Sequence, residues 1–538
     1  MKNILKLAFI FSFLLTYCYS QIVYVPVGDE VYDFLDRMAT KKIIKISDEV
    51  LPFSRIYIAR KIQEIEYRKE ELNDVEKELL IWYMREFSYE LNIDIRKRYR
   101  LFSYEDSLFQ LQVSPIVGYK LISIGKNNGT SRMVGMRAFS TIGDNFGINV
   151  EFRDSGEFGD IVDDKKDFTS QTGYDAINAD AGEDGIEFSD IKGSMNYSWH
   201  WGDISFNKDY MLWGHGKFGN LILSDKAASF PFIRFTLYPA EWIRFNYFHG
   251  WINSLVIDSA KTLKPVPNSL LQDDKETFIK KYIVANLLTF SVNEWWDFSM
   301  GNSFVYSGDF RVEMLIPFMF FKYLDRDSGQ GAINDGNGQF YFDTSIRYFK
   351  DLHLYSTIFF DVTEITKILK GEQNNTWFGF TLGAKTTNLI FNNLDLLLEY
   401  TRINPWVYEH RNVTTTYKHL DYVMGHWLGQ NADQLRIQLN YQPIRGLKVE
   451  TYFERLRKGD LLDVYFAYED DEDEPFLYGE NRKDITFGLD VSYEFVHELF
   501  VLGHYKYSDI SDEKENRTQD FLLGKKNYLS LGFRYGIW

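Results

Sequence analysis

The sequence predicts a mainly β protein: a transmembrane antiparallel β-barrel of the outer-membrane type, preceded by a small α-helical domain. Three observations predict this fold: an export signal at the N-terminus, alternating apolar and polar stretches from about Ser107 to Trp538, and 17% aromatic residues with only 11 prolines. No apolar run after the export signal is long enough for a membrane-spanning helix. Together these features are typical of a chain that crosses the outer membrane with strands of about ten residues.

Residues 1–20 are predicted to be a cleaved signal peptide. Leu7–Leu15 is an apolar run of signal-peptide length, and Cys18 and Ser20 suit the −3 and −1 positions of signal peptidase, with Gln21 as the new N-terminus. Lipidation of Cys18 is the alternative, but Tyr17 is a poor residue before a lipidated cysteine. Because Cys18 is the only cysteine, the mature chain is predicted to have no disulfide, no thiol chemistry and no cysteine-based zinc site.

The charge of the chain argues against nucleic acid as a partner. The formal net charge is −17, and it becomes −19 when Lys2 and Lys6 leave with the signal peptide. One basic run, Arg96–Arg100, is interpreted as a solvated linker beside lipid headgroups rather than as a binding patch. Outer-membrane lipid is therefore an expected partner.

Residues 21–105 are predicted to form a helical domain. Apolar residues at helical spacing in Asp29–Met38 indicate the first helix, and Ser54 is a plausible N-cap of the second. Asn73 and Glu76 form a capping-box pattern that opens a third helix. Its apolar stripe is predicted to consist of Leu79, Leu80, Tyr83 and Phe87.

Residues 106–538 are predicted to form the barrel. Alternation predicts strands at Gln110–Lys120, Phe146–Arg153, Phe232–Tyr238, Trp242–His249, Tyr282–Ser291, Trp296–Tyr306, Phe340–Tyr348, His353–Asp361, Thr376–Ala384, Leu394–Thr401, Leu435–Tyr441, Lys448–Arg455, Asp484–Tyr493, Leu499–Tyr507 and Tyr528–Trp538. Short connections interleave with long ones at 155–184, 253–278, 363–375, 406–432, 459–482 and 510–525. This asymmetry predicts short periplasmic turns and long outer loops. The last strand ends in an aromatic residue and resembles the signal that the barrel-insertion machinery reads, which makes that machinery an expected partner.

The segment Asp209–Pro231 interrupts the alternation. Gly214, Gly216 and Gly219 fall within a few residues of Trp213 and His215, and so many glycines indicate special backbone angles or close backbone approach. The pattern WGxGxxGxLxLSxxAxxxP resembles the hallmark segment of the capsule assembly Wzi family, outer-membrane barrels that tether capsular polysaccharide. The family usually has proline or a small residue where this chain has His215.

A second marker runs from Glu399–Trp406 through His426–Asp433, and its GHWxGxNADxL pattern also resembles Wzi-like proteins. The resemblance implies about 18 strands, a periplasmic helical domain at the lower mouth of the barrel, and binding of surface polysaccharide. Aromatic faces pack on sugar rings, and polar groups bond to hydroxyls. The predicted ligand-binding residues are therefore Trp213, His215, Trp406, Tyr408, His410, Arg411, His426 and Trp427.

No cofactor or metal is expected. The spacing of His410, His419 and His426 matches no compact metal-binding pair. The acidic run Glu469–Glu474 is interpreted as a solvated loop tip, with a weak calcium site left open. The sequence contains no Gly-x-Ser-x-Gly, His-Glu-x-x-His or P-loop motif, so no enzymatic activity is predicted.

Three hypotheses follow. The first is a monomeric outer-membrane barrel that binds and tethers capsular or other exported polysaccharide and assists capsule assembly. The second is a diffusion channel or substrate-specific porin on the same fold, which the long loops and polar interior fit equally well. The third is a barrel-embedded enzyme whose residues lie on distant strands. Conductance separates the first two, since a barrel with a closed lumen conducts little or no current.

Overall fold

The computed structural model describes residues 23–93, 101–106, 108–143, 145–175, 177–178, 185–262, 276–327, 336–361, 377–460, 464 and 474–536. The predicted signal peptide, the basic run Arg96–Arg100, the terminal Trp538 and all but the last residue of the acidic run lie outside the described residues. Within the described part of the chain, no helix combines the length and the hydropathy that crossing a bilayer requires.

Three helices form the N-terminal region: α1 (Val31–Thr40), α2 (Arg55–Tyr67) and α3 (Asp74–Glu86). The two predicted caps are confirmed. The side chain of Ser54 accepts a hydrogen bond from the Tyr57 amide, and Asn73 and Glu76 form a reciprocal capping box. The predicted apolar stripe of α3 is buried in a core shared with α1 and α2.

Eighteen antiparallel strands form one closed barrel. In chain order they are β1 (Phe109–Ile124), β2 (Asn127–Ile142), β3 (Phe146–Gly159), β4 (Gly185–Trp199), β5 (Gly202–Asp209), β6 (Phe230–Ala240), β7 (Ile243–Ile257), β8 (Phe278–Asn293), β9 (Trp296–Ser307), β10 (Asn337–Ile346), β11 (Leu352–Phe360), β12 (Phe378–Thr386), β13 (Leu394–Ile403), β14 (Ala432–Ile444), β15 (Leu447–Lys458), β16 (Arg482–Val496), β17 (Leu499–Asp512) and β18 (Gly524–Tyr535). Each strand pairs with its sequence neighbours, and β18 pairs with β1 to close the barrel. A further short helix, α4 (Phe321–Asp327), lies between β9 and β10.

The alternating patterns located fifteen of these strands but not β2, β4 or β5. Their lumen-facing positions carry glycine, serine, asparagine and charged residues, which resemble loop composition in a single sequence. The predicted asymmetry of connections is confirmed, with one long loop, 308–336, that the sequence did not indicate. At the same end as the long loops, β1 and β2 are joined by only Gly125 and Lys126.

The helical region lies at the barrel end that carries the short connections. Lys45 donates to the Asn293 carbonyl at 2.9 Å, and the Asp351 amide donates to the Thr40 carbonyl at 3.0 Å. On the other side of the mouth, Lys448 at the start of β15 lies 3.2 Å from Glu30. The helices are therefore bound to several turns around the rim.

Half of the lumen is filled by an apolar core. Two long connections, 210–229 and 404–431, fold inward and pack against the inner faces of β6–β13. The connection 210–229 is here called the inward segment, and the connection 404–431 is here called the motif loop. The inward segment pairs with the helical region, because Val50–Leu51 forms a short antiparallel ladder with Leu212–Trp213. The core residues from these segments and the wall include Trp213, Leu221, Leu223, Phe248, Ile283, Tyr341, Phe359, Trp406, Tyr408, Tyr417 and Met424.

Candidate functional site

The glycine-rich motif forms the joint between the inward segment and the helical region. The Trp213 amide donates to the Leu223 carbonyl at 2.9 Å, and the Gly214 amide donates to the Glu49 carbonyl at 2.9 Å. Gly214 has φ +106°, in the left-handed region that favours glycine. The side chain of Trp213 is almost fully buried and packs edge-on against Phe248 of β7, with ring centroids 5.2 Å apart. The motif thus packs against both the helical region and the wall.

His215 is an ion-pair partner inside this joint. Its Nδ1 lies 2.5 Å from a carboxylate oxygen of Asp343 on β10, and its Nε2 lies 3.2 Å from Asp48 of the helical region. Burial alone would lower the pKa of His215, but the two carboxylates raise it to about 10. The imidazole is therefore a buried cation at neutral pH, held between the helical region and the wall.

Further charges surround His215. Asp36 lies within ion-pair distance of Lys217 (3.4 Å), Arg347 (3.2 Å) and Lys385 (2.8 Å). Burial acts to raise the pKa of Asp36, but the ammonium groups of Lys217 and Lys385 hold it well below its usual range. Arg347 and His215 likewise depress the pKa of Asp48 against the effect of burial. These alternating charges connect α1, the inward segment and the barrel wall.

The second motif completes the lumen core. The hydroxyl of Tyr408 donates to the Leu221 carbonyl at 2.8 Å, and the Tyr408 amide donates to Asp361 at 2.7 Å. Trp406 and Tyr408 both have positive φ, at 62° and 75°. Such angles are rare for aromatic residues and require support from the surrounding packing. The motif loop is thus held in one conformation against the inward segment.

The three histidines of the motif loop are buried and uncharged. Burial lowers the pKa of His410 and of His419 to about 4 and that of His426 to about 3, so each is neutral at pH 7. His419 Nδ1 accepts a hydrogen bond from the Asn253 amide at 3.0 Å. Among the described residues, no group of three or more histidine, cysteine or carboxylate side chains is arranged to hold a metal ion.

The eight predicted ligand-binding residues thus fall into two groups. Six are buried within the lumen: Trp213, His215, Trp406, Tyr408, His410 and His426. Arg411 is exposed on the motif loop, and Trp427, although mostly buried, lines an open cavity. The indole nitrogen of Trp427 donates to the Phe218 carbonyl at 2.8 Å, which fixes the orientation of its ring.

The cavity beside Trp427 occupies the other half of the lumen. It has a volume of about 590 Å³ and lies between the inward segment, residues 157–171 and the inner faces of β14–β18. This volume is in the range of small-molecule sites. Its aromatic rings include those of Phe168, Phe218, Trp427, Tyr452 and Tyr528. The lining therefore supplies several aromatic rings.

Charged groups of both signs lie between these rings. Arg436 is stacked between Phe218 and Tyr452, 4.3 Å and 3.9 Å from the ring centroids, and lies 3.2 Å from Glu454. Arg482 makes a two-pronged ion pair with Asp484 at 2.7 and 2.9 Å. Because these charges are paired and oriented, they can bond to hydroxyls without a large net charge.

A second cavity of about 700 Å³ adjoins the first and shares Glu157, His504 and Tyr528 with it. It extends to Pro26–Gly28 of the helical region. The unfilled half of the lumen thus reaches from the long loops to the helices.

The sequence interpretation missed the cavity residues Phe218, Arg436, Tyr452 and Arg482. A signal was present, because β14–β17 carry charged or amide side chains at alternate positions, as the lumen-facing side of a barrel strand does. Which of these alternating residues share one cavity depends on the register of four strands, and a single sequence does not fix that register.

No curated protein sequence matches this chain. The solved structure of Wzi from Escherichia coli, described as an outer membrane protein involved in group 1 capsule assembly and as a carbohydrate-binding β-barrel, has a TM-score of 0.58 and 11% identity, and the match covers 96% of this chain and 99% of that chain. OprD from Pseudomonas aeruginosa gives a TM-score of 0.43 at 10% identity, covering 80% and 95%. OccAB1 from Acinetobacter baumannii gives 0.42 at 10% identity, covering 81% and 99%.

The family profile described as capsule assembly protein Wzi matches residues 123–521, which is most of the chain. The matched range begins in β1 and ends after β17, and it contains both motifs and the cavity-lining strands β14–β17. The chain is an outer-membrane β-barrel and belongs to the capsule assembly Wzi family.

Proposed function

We propose that this protein binds surface polysaccharide, capsular or otherwise exported, tethers it at the cell surface as a monomer, and assists capsule assembly without catalysing a reaction. Family membership supports this function, as does the carbohydrate binding described for the E. coli barrel of similar fold. The observation that carries the proposal is the cavity of about 590 Å³, which is lined by both aromatic rings and paired charges.

The chemistry of the cavity suits sugars. Carbohydrates present apolar C–H faces, which pack on rings such as Trp427, and hydroxyls, which bond to fixed charged groups such as the pairs of Arg436 and Arg482. A cavity of this size holds only a short stretch of polymer. Strong tethering therefore requires additional weak contacts on the outer loops, whose contributions combine along one chain. Among the predicted site residues, Arg411 is proposed to make such a contact, because its side chain is exposed.

Six of the eight predicted ligand-binding residues are proposed to act indirectly. They hold the inward segment and the motif loop in place, and these in turn orient Phe218 and Trp427. Direct ligand contact is proposed for Trp427 and Arg411.

The test is a binding titration with polysaccharide purified from the producing cells and with short oligosaccharides made from it, followed by calorimetry. Trp427→Ala is expected to weaken oligosaccharide binding by about 1–3 kcal/mol, taking as a guide the loss measured when an aromatic side chain that stacks on a nucleobase is removed. Val413→Ala, at an exposed position of the same loop, is the matched control and is expected to bind normally. Equal affinity of the two variants would exclude the cavity as the site.

One observation favours the channel as a second candidate. The two adjoining cavities lie along one half of the wall and reach the helical region. Planar-bilayer recordings of the full-length protein, and of a form lacking residues 21–100, decide between the candidates. A closed full-length protein that conducts after the deletion supports the tether. Steady conductance of both forms supports the porin.

A further inference from the structure

The described part of the connection between β9 and β10, Gly308–Asp327, does not stand above the barrel rim. It turns back and lies against the outside of the wall, and it is here called the flap. The ring of Phe318 stacks on Phe245 of β7 with centroids 4.3 Å apart, and Phe320 stacks on Phe340 of β10 at 4.6 Å. The flap thus covers the strands from β7 to β10.

The covered residues face away from the lumen. On β7, Phe248 contacts Trp213 in the lumen, so its odd-numbered neighbours Phe245 and Tyr247 point outward. The flap reaches far down this face, because Phe318 lies over Phe245. In the strand register, Phe245 pairs with Leu288 of β8, and Leu288 pairs with Met300 of β9. Met300 is seven residues from the end of β9 at Ser307, which corresponds to about 23 Å along the strand.

Burial confirms that the flap covers this surface. Outward-facing side chains elsewhere on the barrel are half exposed, such as Leu382 at 50% and Leu531 at 56%. Under the flap, Val284 and Phe304 are 0% exposed and Phe245 is 6% exposed. This part of the wall is therefore shielded from its surroundings by protein.

Two outward-facing asparagines hold the flap. The amide nitrogen of Asn286 on β8 donates to the carbonyls of Pro317 and Met319 at 3.0 and 2.9 Å. The side-chain oxygen of Asn302 on β9 accepts from the Phe321 amide at 3.0 Å. On the lipid-facing side of a barrel an asparagine is costly unless it has a partner, and irregular backbone is tolerated only where its polar groups are satisfied. The outward-facing asparagines therefore have partners because the flap lies over them, and the flap backbone is satisfied there because the asparagines bond to it.

The exposed side chains of the flap are mainly apolar. Seven large apolar side chains are exposed: Phe310 at 39%, Val312 at 68%, Leu315 at 38%, Ile316 at 47%, Phe318 at 63%, Phe320 at 40% and Tyr323 at 60%. This surface is continuous with the wall that contacts the membrane on either side. We propose that the flap lies within the outer membrane and that its apolar face is a docking surface for lipid acyl chains, a role separate from polysaccharide binding.

The predicted absence of cysteine from the mature chain allows a direct test by spin labelling. A nitroxide is attached to Phe318→Cys and the protein is reconstituted in phosphatidylcholine–phosphatidylglycerol vesicles. Leu531→Cys on β18 is the lipid-facing control, and Val413→Cys on the motif loop is the water-facing control, with 56% and 61% exposure of the native side chains. Accessibility to oxygen and to a water-soluble nickel complex is then measured for each label.

The Phe318 label is expected to match the Leu531 label. For both labels, the ratio of oxygen accessibility to nickel accessibility is expected to be several-fold higher than for the Val413 label. A Phe318 label that is as accessible to nickel as the Val413 label overturns the proposal. Dipolar broadening between labels of different molecules also overturns it, because the face would then contact a second copy of the chain. Val312→Cys, at the most exposed flap position, is labelled in the same way if Phe318→Cys does not fold.

Discussion

Replacing His215 by asparagine is predicted to loosen the joint between the helical region and the inward segment. The substitution removes a buried cation but keeps a polar side chain. Asp48 retains Arg347 at 2.7 Å. Asp343 retains hydrogen bonds from the Thr357 hydroxyl and from the backbone amide of residue 215 but loses its cation. The variant therefore leaves Asp343 as a buried charge without an ion-pair partner.

Breaking a buried ion pair in this way costs about 3–5 kcal/mol. The affected equilibrium is local opening of the joint, which exposes the amides of Trp213 and Gly214 that bond to Leu223 and Glu49. At about 1.4 kcal/mol per factor of ten, hydrogen exchange of these amides is expected to be at least about 100-fold faster in His215→Asn than in the native protein. Mass spectrometry of the peptide that contains residues 211–217 measures it.

The double variant His215→Asn/Asp343→Asn provides the control, because it removes the unpaired charge together with its partner. Its exchange is expected to be slower than that of His215→Asn alone. His200→Asn, at an exposed turn, is expected to exchange like the native protein. Exchange of His215→Asn within threefold of the native rate, or no recovery in the double variant, would refute the role given to this cation.

Four further predictions concern the helical region and the lumen. The pKa of His215 is about 10 in the folded protein against 6.5 when exposed. The stabilisation of the joint by the His215 cation is therefore complete below pH 6.5 and is lost as pH rises through 10. An imidazole NMR titration measures the pKa, and amide exchange across this pH range measures the stability of the joint. Asn73→Ala removes the capping box and the 2.8 Å hydrogen bond to Asn393, so α3 is expected to lose about 1–2 kcal/mol, seen as faster amide exchange that the exposed control Glu78→Ala does not show. Lys458→Met removes the ammonium group that donates to the Leu428 and Gln430 carbonyls at 2.7 and 2.6 Å. Because these carbonyls belong to the motif loop, tryptic cleavage of this loop after the exposed Arg411 is expected to accelerate. The exposed control Lys483→Met is expected to have no effect. Gly219 has φ +146°, and Gly219→Ala places a methyl group 2.7 Å from the His426 ring. The substitution is therefore expected to displace Phe218 and to weaken polysaccharide binding. Unchanged affinity would contradict the proposal that the cavity depends on this turn.

Much of the fold was predictable because its signals are local. The cap residues Ser54 and Asn73 bond to amides only three residues away. Alternation in a strand such as Leu394–Thr401 arises because its side chains point in turn to the lumen and to the outside of the barrel. The two motifs indicated that the chain resembles a barrel family, because glycine and aromatic residues at fixed spacing serve one particular turn. These inferences required no knowledge of which strands face one another across the lumen.

The site was less predictable because it depends on contacts between distant residues. His215 is paired with Asp48 and Asp343, which lie 167 and 128 residues away. Whether an aromatic residue such as Tyr408 faces a ligand or the lumen core depends on the fold of another loop. Asn286 and Asn302 look like lumen-facing residues in the sequence, yet they point outward, because the flap supplies partners that no local pattern indicates.

The apolar core inside the barrel has a consequence for the order of assembly. Its key contacts join residues about 200 positions apart, such as the Ser224 amide with the Met424 carbonyl and the Tyr417 hydroxyl with the Ile222 carbonyl. The inward segment therefore has no partner until the chain beyond Met424 has arrived, and until then Trp213, Phe248 and Ile283 remain uncovered. Contacts this far apart in sequence form slowly, and exposed apolar surface invites aggregation meanwhile. The apolar interior of this barrel therefore stays uncovered until the motif loop has been made and has folded inward.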